Sequence, residues 1–122
     1  MAAHVKMEVP SDLKEKQLEL LDHVKKKGKL RVGVNECTKA IEREQAKLVL
    51  IAEDVSPPEI VMHLPLLCKE KKIPVSYVST RKELGEKAGL SVGSAAIAIT
   101  EEGDSKKELE AIVKRLHELN KQ

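Results

Sequence analysis

Residues 33–40, Gly-Val-Asn-Glu-Cys-Thr-Lys-Ala, place an amide, a carboxylate and an ammonium where a short strand gives way to a helix. Asn is a preferred helix cap, so Asn35 is expected to begin that helix, with Glu36 in its first turn. At about 100° per residue, Asn35 and Lys39 share one helix face with Glu36 beside them. Cys37, Ala40 and Ile41 fall on the opposite, apolar face. An amide, an acid and a base on a rigid helix end can read a base edge that shows both donors and acceptors, and guanine shows both.

The elements that must hold this set are legible in outline. Ser11 or Asp12 is expected to cap a first helix, with Glu15 in capping-box register to Asp12. Leu13, Leu20, Leu21 and Val24 form its apolar stripe, and Gly28 ends it. Leu30–Val32 reads as a strand, followed by a helix over Asn35–Glu44. Leu48–Ala52 is a continuous apolar run, the pattern of a strand buried on both faces. Pro57 and Pro58 are expected to open a helix through Ile60, Val61 and Leu64, which Pro65 breaks and restarts towards Lys72. Val75–Val78 and Ala95–Ile99 are strands around a short helix capped by Ser79 or Thr80 and ending at Gly89. Leu109, Ile112, Val113, Leu116 and Leu119 line a closing helix. Strands alternating with helices predict one α/β domain, a three-layer α/β/α sandwich around a four-stranded mixed, largely parallel sheet. Its bounds are 11–122, after a tail of residues 1–10.

Composition narrows the functional class. The chain has 122 residues, 34% charged, with no Trp, no Phe and one Tyr. Base stacking on aromatic side chains, the main device of single-strand RNA binders, is nearly unavailable. The formal charge is only +2, but it is unevenly spread. Lys25, Lys26, Lys27, Lys29 and Arg31 precede Gly33, whereas Glu101, Glu102, Asp104, Glu108 and Glu110 gather near the C-terminus. That polarity suggests one face for a polyanion and another for solvent. Cys37 and Cys68 lack metal-ligand spacing and read as buried free thiols. No signal peptide or long apolar stretch is evident, so a cytoplasmic protein is expected.

Other constellations carry less. Asp54 could be a phosphoacceptor of the receiver type, with Thr80 and Lys106 as partners, but the acidic pair such a site needs after the first strand is replaced by Gly33-Val34-Asn35. The plainer reading makes Asp54 or Ser56 the cap of the helix after Pro57. His63 has no acid or Ser partner at a recognisable spacing and reads as structural. Leu90-Ser91-Val92 is either a connector or a small apolar platform for a ligand, with Arg81 and Lys82 close enough to add phosphate contacts. No nucleophile has an adjacent base, so no enzyme activity and no cofactor are expected.

The strings Arg31–Arg43, Leu50–Ile60 and His63–Cys68 together closely resemble the kink-turn RNA-binding family, whose archetype is an archaeal large-subunit ribosomal protein; the resemblance spans about residues 11–100. It implies the same sandwich fold and recognition of a kinked helix–bulge–helix with tandem sheared G·A pairs beside the bulge. It implies guanine reading by Asn35, Glu36 and Lys39 after Gly33, and phosphate contacts from Arg31 and Arg43. Ile60 matches a residue of the pocket for an extruded nucleotide, and Leu90, Ser91 and Val92 match the loop that closes on the bulge. Implied RNA partners are ribosomal RNA and box C/D and H/ACA guide RNAs, with ribonuclease P RNA as a further candidate. RNP assembly proteins would join on a protein that is a monomer when free. Three positions depart from the family pattern: Val32 where Lys is common, Glu44 where Gly is common, and Ser56 where an acid is common. A protein–protein adaptor on the same fold is the alternative reading.

Overall fold

The computed structural model describes residues 9–55 and 61–120. Its elements, in chain order, are α1 (Ser11–Lys27), β1 (Lys29–Val32), α2 (Val34–Glu42), β2 (Leu48–Ala52), α3 (His63–Lys71), β3 (Val75–Val78), α4 (Arg81–Lys87), β4 (Ala96–Glu101) and α5 (Lys106–Asn120). The four strands form one sheet in the order β1-β4-β2-β3. Helices α1, α4 and α5 pack together, as do α2 and α3, giving the expected layers on either side of the sheet. All five residues of β2 are buried, as its unbroken apolar run requires. The core is aliphatic, with Tyr77 the lone aromatic inside it. Among the described residues no helix is long and apolar enough to cross a membrane.

The sheet is mixed, but less parallel than the strand–helix alternation suggests. Only β2 and β3 pair in parallel; β4 lies between β1 and β2 and runs against both. The chain returns after α4, which has seven residues, because the segment that follows runs back along that helix: the Leu90 amide donates to the Gly85 carbonyl at 2.9 Å. Gly89 adopts φ 84°, and the Ser94 amide donates to the Arg81 carbonyl at 3.1 Å. The turn packs so closely that a Cβ on Gly85 would collide with the Val92 carbonyl oxygen. β4 therefore starts at the sheet end where β3 finishes.

Several helix ends differ from expectation. Pro10, not Ser11 or Asp12, is the cap residue of α1, and its carbonyl accepts from the Lys14 amide at 3.0 Å. Asp12 instead receives the Arg115 guanidinium of α5 at 2.8 Å, a hydrogen bond that holds its carboxyl below the usual range. Gln17 is fully buried on the α1 stripe and donates to the Tyr77 carbonyl at 2.9 Å. Pro65 does not break a helix. α3 begins at His63, and Pro65 occupies its first turn, where a missing N–H costs nothing. Ser56, Pro57, Pro58 and Ile60 lie outside the described residues. Thr80 caps α4 as expected, accepting from the Glu83 amide at 3.1 Å.

Helix α2 ends at Glu42, two residues early, and Glu44 takes a left-handed φ of 57°. Glycine would adopt that conformation without strain. Relief of this strain outweighs the extra freedom glycine gives the unfolded chain, so Glu44→Gly should stabilise the fold by about 0.5–1 kcal/mol. The readout is a higher urea midpoint at unchanged slope. Cys37 and Cys68 are free and buried, and burial pushes both thiols up to about 12. Both should therefore resist a thiol reagent at about pH 8 until the chain unfolds.

Candidate functional site

The antiparallel entry of β4 decides where chemistry can gather. Val32 pairs with Ile97 and Ile51 with Ala96, so β1 and β2 end where β4 begins. Since β3 parallels β2, its end lies there too. One end of the sheet thus collects the turn into α2, Glu53-Asp54, the start of α4 and the loop 90–94.

The turn into α2 is built by Gly33. At φ 98° and ψ 156° it occupies backbone space that side chains rarely tolerate, although a Cβ there would touch nothing. Its amide donates to the Ala96 carbonyl at 2.9 Å, and its carbonyl accepts from the Cys37 amide at 2.9 Å. Gly33, not Asn35, is therefore the cap residue, and the helix starts one residue earlier than expected. The left-handed turn at a glycine reverses the strand directly into helical geometry. Asn35 is thereby released from capping and stands with Glu36 in the exposed first turn. Lys39 is exposed one turn on, with its ammonium 4.0 Å from the Glu36 carboxylate. Cys37, Ala40 and Ile41 point inward as the periodicity predicts. Thr38 fastens the helix: its hydroxyl bonds the Val34 carbonyl at 2.8 Å and meets His63 Nε2 at 2.9 Å. That contact makes His63 the structural histidine the sequence suggested.

The neighbouring loops converge on the same end. Arg81 opens α4 and is exposed; its amide donates to Asp54 Oδ1 at 2.9 Å, and its Nε lies 3.6 Å from the same oxygen. Asp54 thus fastens the start of α4; the helix expected after Pro57, for which it is also a candidate cap, begins outside the described residues. Asp54, Arg81, Lys82 and Gly93 line a cleft of about 370 Å³. In the adjoining loop Leu90 is half-buried and Ser91 exposed, while Val92 is 70% exposed and presents an apolar side chain to solvent. Arg31 is exposed on edge strand β1. Arg43 caps the C-terminus of α2, about 12 Å along the axis from Asn35, so the fold does not bring it to the helix start. Ile60 lies outside the described residues.

Two expectations about charge do not survive. The basic run near residue 27 and the acidic run near residue 104 do not form separate faces; they meet at the opposite end of the sheet. Lys25 and Lys26 pair with Asp22, Lys27 with Asp104 at 2.9 Å, Lys29 with Glu101 at 4.0 Å, and Lys47 with Glu102 at 2.6 Å. Asp104 raises the Lys27 ammonium, and the Lys47 hydrogen bond lowers the Glu102 carboxyl. Lys27 and Lys29 of the basic run are thus matched by Asp104 and Glu101 of the acidic run, while Lys25 and Lys26 are matched within α1. The receiver arrangement also fails: Lys106 follows β4 and so sits across the sheet from Asp54.

Sequence reasoning passed over Lys14, whose ammonium binds the Glu53 carboxylate and lies 3.3 Å from the Ser79 hydroxyl, tying α1 to the ends of β2 and β3. Nothing local marks it, because its partners are 39 and 65 residues away. A second cavity of about 380 Å³ lies between α1 and α5, and none of its lining residues belongs to the loops at this end. Among the described residues no group of three or more His, Cys, Asp or Glu could hold a metal ion.

The same architecture occurs in the 15.5kD RNA binding protein of Giardia lamblia. The two superpose with a TM-score of 0.89 at 29% identity, covering 98% of this chain and 99% of that one. The family described as Ribosomal protein L7Ae/L30e/S12e/Gadd45 matches residues 15–109, from within α1 into α5. With fold and sequence in agreement over most of its length, this chain belongs to the Ribosomal protein L7Ae/L30e/S12e/Gadd45 family.

Proposed function

We propose that this chain is a non-enzymatic RNA-structure recogniser that binds and stabilises kink-turns. The hosts would be ribosomal RNA, box C/D and H/ACA guide RNAs and ribonuclease P RNA. The observation that carries this reading is the Gly33-capped start of α2. It holds Asn35, Glu36 and Lys39 exposed on the first turns of the helix, at the same end of the sheet as Arg81 and the loop at Val92. Family membership and the likeness to the Giardia RNA-binding protein support RNA as the ligand class.

The chemistry fits a guanine edge. The Glu36 carboxylate accepts from guanine N–H groups, while the Lys39 ammonium and Asn35 amide donate to O6 or N7. In the free protein Glu36 and Lys39 lie at the outer limit of an ion pair, so little is lost when each turns to a base. The N-terminal end of α2 adds a positive potential favourable to nearby phosphates. A regular A-form major groove is too narrow to admit a helix end, and a kinked RNA opens it. Selection of the bent conformer then shifts the RNA's population and presents a fixed shape to later proteins. Met62 and Leu66, exposed on or next to α3 and so close to α2, offer apolar contacts for such assembly partners.

Calorimetric titration at physiological salt, with a short kink-turn RNA and a control whose G·A pairs are Watson–Crick, tests this reading. Tight binding to the kink-turn alone is expected; equal, weak binding to both would overturn it. Glu36→Ala and Lys39→Ala should each lose about 1–3 kcal/mol of kink-turn affinity with no change in thermal midpoint. Arg31→Ala should weaken both RNAs alike and lower the slope of log affinity against log salt by about 0.7–1.

A further inference from the structure

The loops at the reading end are joined by one continuous run of hydrogen bonds that links four chain segments. The Asp54 carboxylate accepts from the Arg81 amide at 2.9 Å. The Arg81 carbonyl accepts from the Ser94 amide at 3.1 Å. The Ser94 side chain, buried, donates its hydroxyl proton to the Ala96 carbonyl at 3.0 Å. That same carbonyl accepts from the Gly33 amide at 2.9 Å, using its second lone pair. The run begins at an exposed acid after β2 and ends on the residue that caps α2. On the way it passes through Arg81 and the root of the loop carrying Val92.

We infer that Asp54 and Ser94 are positioning residues for RNA recognition: their relay sets the Arg81 turn and the 90–92 loop in register with the start of α2. The inference rests on the proposed RNA-binding role. The packing leaves these segments few alternatives, since a Cβ on Gly93 would crowd the Arg81 backbone at 3.2 Å. Asp54 is otherwise out of place, because an exposed carboxylate beside Arg81 and Lys82 opposes the approach of a polyanion. Its presence there is accounted for by what it holds. Simple electrostatics and positioning therefore predict opposite signs. With charge alone at issue, removing Asp54 strengthens RNA binding; with positioning at issue, removing it weakens binding to the shaped RNA only.

The test combines amide hydrogen exchange of the free protein with titration of the kink-turn RNA and its Watson–Crick control. Asp54→Ala should speed exchange at the Arg81, Ser94 and Gly33 amides and weaken kink-turn binding about fivefold, as for loss of a helix cap. Control binding should stay level or tighten. Asp54→Asn carries no charge but still offers an oxygen to the Arg81 amide, so it should restore both readouts. Ser94→Ala tests the relay from its buried end and should speed exchange at Gly33. Unchanged exchange at Ser94 and Gly33 in Asp54→Ala, or at Gly33 in Ser94→Ala, would overturn the relay. Kink-turn binding by Asp54→Ala as tight as native would overturn its role in recognition. Should the native protein fail to discriminate the two RNAs, the proposed function falls, and the exchange data alone still decide whether the relay exists.

Discussion

The placement of β4 between β1 and β2, opposed to both, is the constraint from which the rest of this end of the molecule follows. It puts the first residue of β4, through the Ala96 carbonyl, within reach of both Gly33 and Ser94. A β4 running parallel to β2 would have sent the α4–β4 loop to the far end of the sheet, away from the start of α2. The reversal relies on two glycines, Gly85 and Gly93, that let the returning chain lie against the α4 backbone. A local packing event thereby decides which segments share a surface.

Charge is arranged with the same economy. At one end of the sheet Lys27 and Lys29 are matched by Asp104 and Glu101, and the pairs are exposed, so each contributes little to stability. Their effect is to set acids beside part of the basic run that stands out in the linear sequence. At the other end Arg81 and Lys39 retain exposed cationic groups beside the exposed acids Asp54 and Glu36. A mixed rim of this kind suits recognition by hydrogen-bond pattern more than by bulk attraction. That accords with a formal charge of only +2.

The near absence of aromatic side chains has a structural and a functional side. An aliphatic core built on β2, β4 and the inner stripes of α1 and α2 packs without rings, and its one ring, Tyr77, is inside. No stacking platform is left at the surface among the described residues. Specific contacts must come from polar groups held rigidly, and a helix end set by backbone hydrogen bonds holds them more firmly than a loop.

Much of this is legible from residue order alone. The buried strand Leu48–Ala52, the strand Val75–Val78, the Thr80 cap, the inward face of α2 and the stripe of α1 are set by short-range periodicity and capping, which neighbouring residues encode. The candidate reading set lies on a single helical turn, so it too can be seen without a structure. Asn35 suits a cap by its type; only the backbone shows that Gly33, at positive φ, takes that place. The direction of β4, the pairing of Lys27 and Lys29 with Asp104 and Glu101, the separation of Arg43 from the helix start and the contacts of Lys14, Asp54 and Ser94 were decided by the tertiary structure. Each depends on segments distant in sequence, and such pairings are chosen by loop closure and packing, which leave no mark on adjacent residues.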